Sequence, residues 1–154
     1  MSASVPIATA ALKDARGATI GEATVIREGE KARLIVEAAG LSEGLHGLHF
    51  HEVGKCDAPA FTSAGGHLNP AGRQHGTLNA AGPHVGDLPN LLAGADGKAV
   101  LTAQLDVAPL VLTAALFDAD GTAVVIHAGP DDYKTDPSGN SGGRIACGVL
   151  VAAS

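Results

Sequence analysis

Residues 18–38 read ATIGEATVIREGEKARLIVEA, two short runs rich in β-branched and aliphatic residues on either side of Glu28-Gly29-Glu30. That is the pattern of strand, turn and strand rather than of a helix. The same pattern extends outward in both directions. Ile7–Leu12 precedes the turn signal Asp14-Ala15-Arg16-Gly17, and Ala32–Ala38 is followed by an expected strand over His46–Val53. Further on come Leu88–Leu92, Ala99–Leu105, Leu110–Leu112, Ala114–Phe117, Ala123–His127 and Ile145–Val151, with Asp96-Gly97 and Asp120-Gly121 as turns. Short strands at this spacing predict an all-β antiparallel sandwich or flattened barrel, with no helix of useful length.

Composition agrees with that class. The chain has 154 residues, one domain by length, expected to run over 1–154. Apolar residues make up 45% of it but aromatics only 3%, so Val, Leu, Ile and Ala must build the core. The 21 glycines and 8 prolines suit many turns. A net charge of −6 without a basic cluster argues against nucleic acid or an anionic membrane surface as partner. No segment reaches the ~20 apolar residues that span a bilayer. Met1–Leu12 lacks a basic start and does not read as a signal peptide. The expected location is periplasmic or secreted if a signal has been removed, with the cytoplasm as the alternative. Cys56 and Cys147 read either as one disulfide or as two buried thiols.

Two stretches escape the strand pattern. Residues 54–87 and 128–144 are rich in Gly, Pro, Asn and Asp, and loops of that length are usually functional. Six of the seven histidines lie between His46 and Asp87. His49 and His51 are two apart on an expected strand, so they share a face roughly 6.5–7 Å apart, a spacing that suits two ligands of one ion. His46 has the other parity and reads as structural, bonded to backbone. His67 follows the glycine pair Gly65-Gly66, and His75, His84 and Asp87 come after it. Three imidazoles with one carboxylate form a closed tetrahedral set of the kind structural zinc uses. Nitrogen-rich ligation points to copper and zinc, not to the oxygen-seeking calcium or magnesium. His127 ends the apolar run Val124-Val125-Ile126 and reads as a core residue or as a further partner for His49 and His51. Asp131 and Asp132 read as acceptors behind the imidazoles or as loop charges. Arg144 reads as an anion guide or as an ordinary surface arginine.

Residues 44–52, GLHGLHFHE, resemble the copper-strand motif of the copper–zinc superoxide dismutases, in a bacterial-like form. Residues 63–70 (SAGGHLNP), 84–88 (HVGDL) and 143–149 (GRIACGV) resemble the other signature blocks of that family, in order along the chain. The resemblance implies an eight-stranded Greek-key barrel with two long functional loops. It implies an oxidoreductase that dismutates the superoxide anion to dioxygen and hydrogen peroxide, with one copper and one zinc per subunit. Copper would lie among His49, His51, His67 and His127. Zinc would lie among His67, His75, His84 and Asp87, with His67 shared as a bridging imidazolate that carries the proton. Asp131 would link His49 to His75, Cys56 and Cys147 would form the disulfide, and Arg144 would receive the anion. Ser138 stands where the family often has Thr. Two divalent ions less the imidazolate and Asp87 leave about two positive charges to focus an anion on this acidic chain. The loop Asp131–Gly143 lacks the acidic and lysine steering cluster of eukaryotic members, and Lys134 and Asp136 are the candidates to replace it. The resemblance carries no subunit count, so a homodimer stays open beside a monomer.

Three rival classes remain. A copper carrier usually lacks part of the copper set, or shows a CxC or Met-rich site, and Met1 is the only methionine here. A zinc hydrolase with Glu52 as base needs an open zinc position, which Asp87 would close. A metal-stapled adhesion domain leaves Arg144 and the second metal unexplained.

Overall fold

The computed structural model describes residues 4–153; Met1–Ala3 and Ser154 of the expected 1–154 span lie outside the described residues. The described residues form ten strands in chain order: β1 (Ser4–Asp14), β2 (Thr19–Glu28), β3 (Lys31–Ala38), β4 (Gly44–His46), β5 (Leu48–His51), β6 (Leu91–Ala93), β7 (Ala99–Leu105), β8 (Ala123–His127), β9 (Arg144–Val149) and β10 (Val151–Ala152). One helix, α1 (Pro109–Leu116), lies between β7 and β8. All strands join a single antiparallel sheet in the order β4-β6-β7-β3-β2-β1-β9-β8-β5, with β10 alongside β1. The ten segments reduce to the expected eight passes, because β4–β5 and β9–β10 are single runs interrupted at Gly47 and Leu150.

The two ends of that order are β4 and β5, which are separated in sequence only by Gly47. The sheet therefore curls until its ends nearly meet, forming a flattened barrel. Gly47 stitches this seam, donating its N–H to the Gly129 carbonyl and accepting from the N–H of His127, each at 2.8 Å. His46 adds to the seam. Its Nδ1 lies 2.8 Å from the carbonyl of His127 and its Nε2 2.8 Å from that of Ser42. The strand expected over His46–Val53 is thus two strands, broken at the seam and ending at His51.

Inside the barrel, β2 contributes Ala23 and Val25, and β3 contributes Ala32, Leu34, Val36 and Ala38. They pack with Leu12, Leu48, Phe50, Leu91, Leu112, Leu116 and Ile126. Each large aliphatic side chain buried there contributes roughly 1.5–3 kcal/mol. A smaller cluster of Phe61, Ala64, Ala123, Val125 and Cys147 lies beneath the Cys56–Cys147 disulfide, which the structure contains.

Helix α1 corrects the strands expected over Leu110–Leu112 and Ala114–Phe117. Pro109 sits in its first turn, where a missing N–H costs nothing and the fixed φ favours a helix start. Pro109, Leu112 and Leu116 turn inward, while Leu110 and Val111 face out. The helical period is hidden because almost every residue of PLVLTAAL is apolar. No described helix is long and apolar enough to cross a membrane.

Candidate metal centre

Strand β5 is buried at every position, which is unusual for a ladder that contains His49 and His51. Its far side is covered by two pieces of the 52–90 loop. Phe50 donates its N–H to the Gly86 carbonyl at 2.9 Å, while Leu68 donates to Phe50 and Gly86 to Leu68, each at 2.8 Å. These contacts set His67 opposite His51 and Asp87 opposite His49. On the neighbouring strand β8, the register shifts between Ile126 and His127, an irregularity of the kind that re-aims a side chain. All of His49, His51, His67, His75, His84 and His127 are buried.

Two donor groups result. In the first, ligand atoms of His49, His51, His67 and His127 all lie within 4.8 Å of one another. Each ring is held from behind by its other nitrogen. His49 Nε2–H donates to Asp131 Oδ2 at 2.7 Å, and His51 Nδ1–H to the Gly65 carbonyl at 2.9 Å. His127 Nδ1 meets the Gly142 carbonyl at 3.2 Å, and His67 Nδ1 meets Asp87 Oδ1 at 2.9 Å. The inward nitrogens are therefore His49 Nδ1, His51 Nε2, His67 Nε2 and His127 Nε2. Two of these, His49 Nδ1 and His67 Nε2, are buried with no hydrogen-bond partner among the described residues. The other two face each other at 3.4 Å. Buried polar atoms without partners are costly, so they point to a binding partner.

The second group comprises the Nδ1 atoms of His67, His75 and His84 with Asp87 Oδ1. The carboxylate oxygen lies 2.9, 2.8 and 3.2 Å from those three nitrogens. His67 Nδ1 is 3.3 Å from the nitrogens of both His75 and His84. A tetrahedron with zinc–nitrogen bonds near 2.0–2.1 Å has edges of roughly 3.3–3.4 Å, close to the three separations of 3.2–3.3 Å and longer than the two carboxylate contacts of 2.8 and 2.9 Å. His75 gives a further indication of a cation. Its Nε2 lies 2.7 Å from Asp131 Oδ1, which turns Nδ1 toward Asp87 Oδ1. That nitrogen and Asp87 Oδ1, 2.8 Å apart, are donors of the kind a cation draws together. His49 also falls near this group, but its Nε2 is committed to Asp131.

His67 thus has a nitrogen in each group, Nε2 in the first and Nδ1 in the second. Asp131 makes a second connection, because its two oxygens accept from His49 and from His75. A side chain at Gly139 would meet Asp131 Oδ1 at 1.9 Å, so the bridge needs glycine there, and φ is +69°. Asp132 plays no part in this, turning instead to the backbone N–H groups of Lys134 and Thr135.

Burial sets the protonation. Desolvation pushes His51 down to about 2, His127 to about 3 and His67 to about 4, and it also lowers His49 against the pull of Asp131. Burial raises the Asp87 carboxyl, but hydrogen bonds from His67 and the N–H groups of Gly76 and His84 outweigh it and hold the group well below its usual range. Asp131 is likewise held low by His49, His75 and the Tyr133 N–H despite its burial. Neutral imidazoles with ionised carboxylates are the state that metal ligation requires.

Arg144 lies half-buried beside the first group, paired with His127 across the β8–β9 ladder. Its Nη1 donates to the Phe61 carbonyl at 2.8 Å and its Nη2 to that of Gly65 at 2.6 Å. The Gly65 carbonyl also receives His51, so one oxygen positions both the guanidinium and a ring of the first group. Asp136 accepts the His75 N–H at 2.8 Å and so anchors the loop around the second group, whereas Lys134 is exposed. Ser138 contributes a carbonyl that accepts from the Ser141 hydroxyl at 2.8 Å. A separate cavity of about 430 Å³ backs on the second group, lined by His84, Asp87, Phe50, Leu105, Leu112 and Tyr133 among others. Residue type alone missed Asn90, a lone polar side chain outside any motif, and the Phe61, Gly65 and Gly142 carbonyls, since backbone acceptors leave no mark in residue type.

A flattened antiparallel barrel whose side wall carries two adjoining donor groups, joined by one imidazole, defines a protein built for a pair of metal ions. The sequence profile of the family described as "Copper/zinc superoxide dismutase (SODC)" matches residues 19–150. The chain is 45% identical over 141 residues to superoxide dismutase [Cu-Zn] 1 of Aquifex aeolicus, covering 88% of this chain and 82% of that protein. It is also 45% identical over 150 residues to superoxide dismutase [Cu-Zn] of Caulobacter vibrioides, covering 93% and 84%. Among solved structures, the Cu/Zn superoxide dismutase of Brucella abortus superposes with a TM-score of 0.76 at 28% identity, covering 97% of this chain and 100% of the other. The chain belongs to the copper/zinc superoxide dismutase family.

Proposed function

We propose that this chain is a superoxide dismutase in which His49, His51, His67 and His127 hold copper and His67, His75, His84 and Asp87 hold zinc. Four neutral imidazoles without a carboxylate suit copper, and three imidazoles with a carboxylate at tetrahedral spacing suit zinc. The observation that carries the reading is His67, whose Nε2 is unpartnered on one side while its Nδ1 belongs to the second group on the other. Bound there, copper supplies a one-electron centre cycling between (II) and (I), so that two superoxide anions and two protons become dioxygen and hydrogen peroxide, while zinc supplies fixed charge without redox chemistry.

The chain's own residues do the rest. Arg144 spends two of its N–H groups on the Phe61 and Gly65 carbonyls. The others remain to draw a small anion toward His51 and His127, although the chain as a whole is acidic. The Nε2 of His67 is the atom that would take and return a proton, and its Nδ1, gathered into the second group with His75, His84 and Asp87, would keep the ring aimed while it does so. Asp131 holds His49 and His75 in single tautomers. The Cys56–Cys147 disulfide ties the 52–66 segment to β9, beside Arg144, and favours an oxidising compartment such as the bacterial periplasm.

Metal analysis alongside superoxide consumption tests the reading. One copper and one zinc per chain are expected, with activity lost to a copper chelator and restored by copper but not by zinc. Turnover that survives complete copper removal contradicts it.

A further inference from the structure

Asp131 is itself held in a ring of contacts that neither donor group explains. Asn90 clamps its backbone at two points: the side-chain Nδ2 donates to the Asp131 carbonyl at 3.0 Å, and Oδ1 accepts the Asp131 N–H at 2.8 Å. The N–H of Asn90 donates in turn to the Tyr133 hydroxyl at 2.9 Å. Tyr133 closes the ring by donating its own N–H to Asp131 Oδ1 at 2.7 Å, the oxygen that also receives His75. Tyr133 has φ 65°, a left-handed conformation that is costly for a bulky residue and needs support from its surroundings. That support includes its carbonyl, which accepts the Leu78 N–H at 2.8 Å from the loop carrying His75 and His84.

We infer that Asn90 and Tyr133 are positioning residues that act through Asp131, aiming its carboxylate at His75 so that the second group retains its metal. The inference rests on the reading of that group as the zinc site. Removing the phenol oxygen leaves the Asn90 N–H without its partner and frees the segment that clamps Asp131. Asn90→Ala removes the clamp itself while leaving both donor groups in place. A residue behind a ligand typically changes metal affinity by ~10–100-fold.

The test follows zinc release from the metal-loaded protein into a chromogenic chelator. Tyr133→Phe and Asn90→Ala should each speed release by about tenfold. In the Asp131→Asn background, Tyr133→Phe should add less than about twofold, because residues acting through one group are not additive. Unchanged release in Tyr133→Phe overturns the inference. So does an equal acceleration in both backgrounds, which assigns Tyr133 to general loop packing. A failure of the zinc reading looks different: the parent protein would then hold no stoichiometric zinc, or would keep it in His75→Ala, and the inference would fall with it.

Discussion

The β2–β3 ladder buries one face and the β5–β8 ladder buries both, and the two are buried for different reasons. In the first, alternate residues turn inward, and β3 buries Ala32, Leu34, Val36 and Ala38 against an apolar interior. In the second, no position of either strand faces water, because the 52–90 and 128–143 loops cover the outer side. Those loops cover the imidazoles of His49, His51 and His127 as well as the aliphatic Ala123 and Val125. Burial in the first ladder stabilises the fold directly. In the second it places neutral rings and ionised carboxylates together without water, an arrangement that metal binding completes. One half of the barrel is a scaffold and the other is a ligand set.

The largest expected effect that separates the two halves comes from His127→Ala. Copper-dependent turnover should fall by more than the ~10–100-fold typical of residues behind a ligand, while circular dichroism and zinc content stay unchanged. Unaltered activity removes His127 from the copper set. Leu34→Ala is the mirror experiment. Denaturant unfolding should show a loss of roughly 2–5 kcal/mol with the rate per folded molecule preserved. A loss of metal without a loss of stability would undo the division. Arg144→Glu should slow superoxide consumption by about tenfold or more at low salt and weaken its ionic-strength dependence. An unchanged slope against salt would end the guiding role.

A separate effect concerns acid and the metal-free protein. Burial holds His67 down to about 4, His127 to about 3 and His51 to about 2, against the usual 6.5. The unfolded chain therefore binds protons first as pH falls. Stability present above pH 6.5 declines through about 4 and toward 2 as these rings are forced to charge. A series of Tm values for metal-free protein should fall across that window, and a flat profile between 6.5 and 4 contradicts the burial argument. Loading with metal should steady the upper part of the window, since bound ions exclude the protons.

The scaffold was legible in the sequence wherever one face alone is buried, as in residues 18–38, because alternation then survives in the residue types. It failed at Pro109–Leu116, where apolar residues on both faces of a short helix erase the period. The run from His46 to Val53 hid the seam at Gly47, since closing the barrel depends on Gly129 and His127, far away in sequence. His49 and His51 could be placed on one face by parity, and the density of histidines flagged the loop. The contacts of Asn90 could not be read: a single polar residue after Pro89 carries no spacing that connects it to Asp131, 41 residues on.

A crystal of metal-loaded protein, with anomalous maps at the copper and zinc edges, tests the shared ring directly. The account predicts a copper peak within bonding distance of His67 Nε2 and a zinc peak within bonding distance of His67 Nδ1. A single peak, or a His67 ring that touches only one ion, contradicts it.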